Sequence, residues 1–416
     1  MSFSEWREVK LEEIIEIEMG QSPKSEFYNQ TGEGLPFLQG NRTFGDKYPY
    51  FDTYCTENKK IANTNDVIMS VRAPVGDLNI AQTKISLGRG VCAMRLKGEQ
   101  NSNYLFYLMK HNIKEMINRE SGTVFGSVNK KDILGLEVKI TNNKFEQKAI
   151  AHILSTLDDK IEVNNQMNKT LENMAQAIFK QWFVDFEFPN EYGEPYKSSG
   201  GEMVESELGM IPKGWGVSTL KEVINIIDNR GKTPPQEPCK TNYPIIDVKA
   251  LSGDIRVIDY NNCMKYVSKE TYDNWFRSGH PSQGDILLST VGSLAELKIF
   301  MGNKGCIAQN VVALRAKNIS NLYLYELLKN IKNDLVSYNI GSVQPSIKVT
   351  HIVKHKILIP NDIVVEKFHL FMYEITNEIF IKHNENVLLT SMRDSLLPKL
   401  MSGEIRVPLD EEGDAS

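Results

Sequence analysis

This chain carries its own pattern twice. Trp6, Leu11 and the run Glu13, Ile14, Ile15 are answered beyond mid-chain by Trp215, Leu220 and Glu222, Val223, Ile224. The echo continues in order: GQSP at 20–23 with GKTP at 231–234, LPF at 35–37 with YPI at 243–245, and DVIMS at 66–70 with DILLS at 285–289. VCAMR at 91–95 then matches VVALR at 311–315, GTVFGSV at 122–128 matches GSVQPSI at 341–347, and a long helical pattern follows each copy. Self-similarity on this scale requires two modules of like fold. Two like modules in one polypeptide imply two like binding events on one ligand.

Within each module, short apolar runs at 67–71, 91–96, 286–291 and 311–314 read as strands. Amphipathic patterns at 104–118 and 323–336 read as helices, so each module is expected to be α+β. From Asn143, a predicted N-cap with Glu146 three residues on, a seam of alternating spacing runs through Ile150, Leu154, Leu157, Ile161, Asn164, Asn168, Leu171, Ala175, Ile178 and Trp182. A second seam runs through Met372, Ile375, Ile379, Lys382, Asn386, Leu389, Arg393 and Leu396, with Pro398 expected to stop the helix. Each seam is polar in its middle. If the two helices pair antiparallel, Asn164 and Asn168 face Lys382 and Asn386 as a register device. The stretch 187–214, rich in Pro, Gly, Ser and Glu, reads as a flexible linker.

At 416 residues the chain has room for two or three domains. Its five cysteines form no CxxC pair, which predicts free thiols in a reducing compartment. No run of eighteen apolar residues occurs, and the first residues lack the layout of a signal peptide, so the sequence-level expectation is a cytoplasmic protein with no membrane partner. The net charge of −5 is unevenly spread. Residues 215–360 hold 18 Lys and Arg against 12 Asp and Glu, whereas residues 1–143 hold 18 of each. Acidic overall charge is therefore compatible with local basic faces.

Catalytic motifs are missing where they would be looked for. There is no glycine-rich nucleotide loop and no Asn/Asp-Pro-Pro-aromatic element, and TPPQ at 233–236 reads as an extended turn. Gly88-Arg89-Gly90 is too short for a phosphate cradle and reads as a turn. Asp285, Glu296 and Lys298 have the spacing of a metal-dependent nuclease motif, but the first module has Asp66, Asp77 and Asn79 at the matching places, without the lysine. Asp66 and Asp285 are better read as caps on the turns entering their strands. His351 and His355, four apart, flank β-type residues and make a poor metal pair.

The segment FEQKAIAHILSTLDDKIEVNNQMNKTLENMAQAIFKQWFVDFEF at 145–188 resembles the central conserved region of type I restriction-modification specificity subunits, and SLLPKLMSGEIRV at 395–407 resembles their distal conserved region. PFLQGNRTFG at 36–45 and SVRAPVG at 70–76 are similar to parts of their target recognition domains. The resemblance implies an α+β chain with two similar target recognition domains, at 1–142 and 215–361, separated by a pair of long antiparallel, coiled-coil-like helices at 143–186 and 362–400, with a linker at 187–214 and a tail at 401–416. It implies a non-catalytic subunit of a DNA methyltransferase and endonuclease, with double-stranded DNA carrying a bipartite target, two methylation subunits and restriction subunits as partners. No cofactor is then expected in this chain; S-adenosylmethionine would belong to the methylation subunit, and ATP and Mg²⁺ to the restriction subunit. Helices of roughly 36 to 40 residues span about 54 to 60 Å, which sets the half-site centres at most about 16 to 18 base pairs apart.

Sequence-specific reading calls for polar and basic side chains on loops. In the first module the candidates are Gln39, Asn41, Arg42, Arg72, Arg89, Thr123, Ser127 and Lys130. In the second they are Lys249, Ser289, Thr290, Gln309, Asn310, Ser342, Gln344, Ser346 and Lys348. Partner docking is expected at Gln176, Phe179, Lys180, Trp182, Phe183 and Phe186, and at Leu396, Leu397, Lys399, Leu400 and Met401. Other classes the sequence leaves open are a protein-interaction scaffold that no longer reads DNA and an enzyme acting by itself.

Overall fold

The computed structural model describes residues 6–98, 101–118, 126–302, 304–341 and 343–407. The chain divides into two compact units, 1–163 with 385–416, and 164–384. Each unit therefore holds one module together with part of each long helix.

In the first unit, strand Trp6–Lys10 pairs antiparallel with Glu137–Thr141 and ties the ends of the module together. A four-stranded antiparallel sheet follows in the order Ile15–Met19, Val91–Leu96, Val67–Ser70, Leu78–Ile80. A smaller sheet includes the parallel pair Leu35–Leu38 and Ile85–Leu87. Helix Ser102–Asn118 lies on the larger sheet, and every residue from 104 to 109 is buried. So continuous a burial arises because the helix is also covered by the long helices, which place Ile150, Leu154, Leu397, Leu400 and Met401 in the same core.

The second unit repeats this plan. Gly216–Thr219 pairs with Lys356–Ile359, and the four-stranded sheet has the order Ile224–Ile227, Val311–Ala316, Ile286–Ser289, Leu297–Ile299. Ile245–Ile246 and Cys306–Ile307 form the equivalent parallel pair. Helix Asn321–Asn330 is buried along 322–328, with Phe179, Trp182, Phe183, Phe368 and Met372 in its core.

The long helices are Lys144–Phe179 and Asp362–Ser402. Asn143 caps the first, its side chain accepting from the amides of Phe145 at 2.9 Å and Glu146 at 3.3 Å. Within the first unit the two segments run antiparallel: Glu146 meets Arg406 at 2.5 Å, and further along Asp158 meets Arg393 at 2.6 Å. Within the second they do so again, with Glu172 and Thr376 converging on Arg256, and Trp182 beside Phe368 at 5.9 Å between ring centroids. Along the first seam Ile150, Leu154, Ile161, Asn164, Asn168, Ala175 and Trp182 are buried, as the heptad spacing predicts.

Two expectations need correction. Pro398 does not stop the second helix, which continues to Ser402. Proline removes one backbone donor, but burial of Leu397, Leu400 and Met401 holds the last turn in place. The 187–214 stretch is not a flexible linker: Met203–Ser206 and Gly209–Pro212 form a hairpin, and Phe188 stacks on Trp215 at 5.1 Å and on Tyr196 at 4.6 Å. Of the polar seam residues, Asn164 and Asn168 are fully buried, Asn386 is half-buried, and Lys382 pairs with Glu378 on its own helix at 3.5 Å.

Candidate nucleic-acid interface

The repeated motifs meet at one place in each unit. In the first, the amide of Gly88 donates to Leu38 O at 2.8 Å and that of Gly90 to Gln39 O at 3.0 Å. Val71 donates to Gly90 O at 2.8 Å, Val128 donates to Val71 O at 3.0 Å, and Arg72 bridges to Ser127. A side chain on Gly90 would put its Cβ 2.3 Å from Gln39 O, so Gly88-Arg89-Gly90 is a tight crossing of two backbones that projects Arg89 outward. In the second unit Thr290 donates to Asn310 O at 2.7 Å, Ile347 donates to Thr290 O at 2.8 Å, and Val291 bridges to Ser346. The two clusters are built from matching positions of the repeat.

Buried carboxylates hold the turns that enter the strands leading to these loops. Asp66 accepts from the amide of Asn63 at 2.8 Å and from Arg95 at 2.6 Å; Asp285 accepts from the amide of Ser282 at 2.7 Å and from Arg315 at 2.9 and 2.8 Å. Burial raises the Asp66 pKa, opposed by that amide and by Arg95. Both aspartates are the predicted caps. Lys298 is buried and donates to Gly253 O at 2.8 Å, burial lowering its pKa to about 8, while Glu296 pairs with Lys332 at 3.1 Å. Asp285, Glu296 and Lys298 thus serve separate partners. Among the described residues no group of three or more His, Cys, Asp or Glu is placed to hold a metal ion. His351 lies in the one-turn helix Val349–Ile352 rather than beside a strand, and His355 Nδ1 is 2.8 Å from the Tyr338 hydroxyl.

The structure brings many of the predicted readers to these loops, while Lys130 opens the helix Lys130–Leu134 and Lys249 lies in the 3-10 helix Val248–Leu251. Gln39, Arg42, Arg72, Arg89, Ser127, Lys130, Lys249, Gln309, Gln344 and Lys348 are exposed. Asn41 is half-buried and donates to Asp77 at 2.5 Å, and Asn310 and Ser346 are half-buried. Thr123 and Ser342 lie outside the described residues. Ser289 and Thr290 are wrong: both are fully buried, and Ser289 Oγ ties its own loop by donating to Ser293 O at 2.5 Å and accepting from the Glu296 amide at 2.8 Å. Ser70 makes the same two bonds in the first unit, to Pro74 O at 2.8 Å and from the Asp77 amide at 2.9 Å.

Sequence reasoning missed Arg230, which stands one residue before GKTP and is gripped by Asp228, and Asp52, which grips Arg42. It also missed Arg256. This side chain is wholly buried and donates to Glu172 at 3.0 and 3.1 Å, Glu326 at 2.9 Å and Thr376 at 2.8 Å, so it seats the second module on both long helices. Lys47, also buried, takes the matching place in the first unit and reaches Asp159 at 2.6 Å. Ile80 donates to Lys47 O just as Ile299 donates to Arg256 O.

The predicted docking ends are corrected too. Phe179, Trp182 and Phe183 are buried in the core of the second unit, against Tyr323, Phe368 and Trp215, and Phe186 packs edge-on to Trp215 at 5.6 Å. Leu397, Leu400 and Met401 belong to the core of the first unit, with Leu396 packed against it. Only Gln176, Lys180 and Lys399 are exposed, and Lys180 pairs with Asp185 at 2.6 Å. Exposed apolar side chains lie instead along the second helix, at Leu370, Phe371 and Tyr373 in one unit and at Leu388 and Met392 in the other.

The family model of the type I restriction modification DNA specificity domain matches residues 3–173 and again 212–379. The chain belongs to the type I restriction-modification specificity family. It is 25% identical over 420 residues to the type I restriction enzyme MjaIX specificity subunit of Methanocaldococcus jannaschii, covering 97% of this chain and 94% of that one. It is 27% identical over 394 residues to the HindI specificity subunit of Haemophilus influenzae, covering 74% and 79%. The crystal structure of a type I restriction-modification S subunit from M. genitalium has the same fold, with a TM-score of 0.57 at 17% identity and 96% of each chain covered. The chain is thus a type I specificity subunit with two target recognition modules, and among its described residues no helix is long and apolar enough to cross a membrane.

Proposed function

We propose that each unit reads one half of a bipartite double-stranded DNA target, and that the chain directs methylation and restriction subunits to it without catalysing a reaction. The observation that carries this reading is the duplicated loop cluster, with the Val71–Gly90 and Val128–Val71 contacts repeated as Thr290–Asn310 and Ile347–Thr290. Residues 1–142 and 215–361 act as recognition domains. The helices at 143–186 and 362–400 set the gap, and the hairpin-bearing segment 187–214 joins the halves. Two methylation subunits, each supplying S-adenosylmethionine, dock along the helices, where Leu370, Phe371, Leu388 and Met392 offer exposed apolar surface. ATP and Mg²⁺ belong to the restriction subunit. Exposed Arg72, Arg89, Lys130, Lys249 and Lys348 contact phosphate or base edges, phosphate contacts fixing position and base contacts fixing sequence.

The test is long-read mapping of methylated bases in cells that express the chain with its methylation subunit. The expected result is one new methylated motif made of two short sequences separated by unread base pairs. Unchanged methylation with the complex assembled would refute the reading.

A further inference from the structure

Two arginines in the loop clusters are each gripped by both oxygens of a carboxylate, and each grip leaves one edge of the guanidinium available. Arg42 gives Nη1 to Asp52 Oδ2 at 2.7 Å and Nη2 to Asp52 Oδ1 at 2.8 Å. The Thr53 hydroxyl donates to the same aspartate at 2.9 Å. This pairing uses the end of the guanidinium and leaves the side edge, Nε–H with the second hydrogen of Nη2. Arg230 is held the other way, by Nε to Asp228 Oδ1 at 2.8 Å and Nη2 to Oδ2 at 2.6 Å. Its end edge is left, with only a long 3.5 Å contact from Nη1 to Thr290 Oγ1.

The locations match the chemistry. Arg42 shares a groove of about 540 Å³ with Gln39 and Arg89, and Arg230 lies against Thr290 at the centre of the other cluster. The Arg42 side chain is 70% exposed and that of Asp52 41%, so the pair adds little to stability. What it does is fix a planar fork before any ligand arrives, which lowers the ordering cost of a bidentate contact. The carboxylate also cancels the charge, weakening attraction to phosphate relative to a free arginine. A fixed, charge-compensated pair of parallel N–H groups suits a base edge with two adjacent acceptors, and in the major groove that edge is O6 and N7 of guanine.

We propose that Arg42 and Arg230 each read the O6/N7 edge of a guanine, one in each half-site, with Asp52 and Asp228 as positioning residues. This rests on the reading of one half-site per unit given above. The full chain, co-expressed with its methylation subunit, is compared by methylated-base mapping with Arg42→Ala, Arg230→Ala and Asp52→Ala. The wild-type motif is expected to hold a guanine in each half. Arg42→Ala lowers discrimination at one G·C pair by roughly 5- to 150-fold and leaves the other half intact. Arg230→Ala does the same in the opposite half, and Asp52→Ala loosens the pair that Arg42→Ala loosens. With the wild-type complex, 7-deazaguanine at that position weakens binding to the duplex, a readout that requires no variant to fold. A bipartite motif unaltered by Arg42→Ala, a uniform loss at all sites, or a half lacking guanine overturns the inference while leaving the function proposal standing. A chain that directs no bipartite methylation refutes the function proposal instead.

Discussion

Arg256 shows how residue-scale chemistry seats a module. A buried guanidinium is tolerable only when fully paired, and here Glu172, Glu326 and Thr376 supply the acceptors, with the Tyr325 ring 5.2 Å away. Glu172, facing Arg256 and Lys329, is held below the usual carboxylate range against the opposing effect of its burial, whereas burial pushes Glu326 up. Arg256→Ala should cost about 3–5 kcal/mol in chemical unfolding, because it leaves Glu326 buried without its ion-pair partner and Glu172 with Lys329 alone. A loss under about 1 kcal/mol would show the cluster to be surface-like. Burial also lowers the pKa of His383 below 6.5, with nearby Lys298 lowering it further and Asp259 opposing. The folded state then binds fewer protons than the unfolded state just below pH 6.5, so this histidine costs stability as pH falls through that value. His383→Gln should flatten the slope of Tm against pH between about 7 and 5.5; an equal or steeper slope would contradict the assignment.

At the scale of elements, the repeat gave access to more than any single motif. The apolar runs that read as strands, Val67–Ser70 with Ile286–Ser289 and Val91–Leu96 with Val311–Ala316, stand at matching places of the repeat, and their sheets have the same order in both units. The seam from Ile150 to Trp182 likewise identified a buried helix face. Periodicity does not say what covers a face, however. Phe179, Trp182 and Phe183, expected to dock a partner, are covered instead by Trp215 and Tyr323 of the second module. Phe183→Ala should therefore destabilise the chain by about 3–5 kcal/mol in the absence of any partner, measured by thermal unfolding of the purified protein. A folded variant of unchanged Tm that fails only in subunit assembly would restore the docking role. Ser289 and Thr290 failed for a related reason: polar residues in a motif were read as surface, but they lie at the end of a central strand, where the sheet buries them. The clamp on Arg42 depends on a loop that brings Asp52 back to it from ten residues on, whereas Asp228 and Arg230 are only two residues apart in the sequence.

For the whole molecule, the central idea is that reading and measuring are separate tasks of one polypeptide. Under the proposed function the loop clusters read, and the helices Lys144–Phe179 and Asp362–Ser402 measure. Removing one heptad from each helix together should shorten the unread gap by about 10 Å, or about three base pairs, while leaving both half-sites unaltered. An unchanged gap in the methylated motif would defeat the ruler idea without touching the reading roles. The most direct test of the central claim replaces residues 215–361 with the corresponding module of a related specificity subunit that directs a different motif. Methylated-base mapping should then show one half of the motif exchanged, with the other half kept. A motif altered in both halves, or in neither, would contradict the assignment of one half-site to each module.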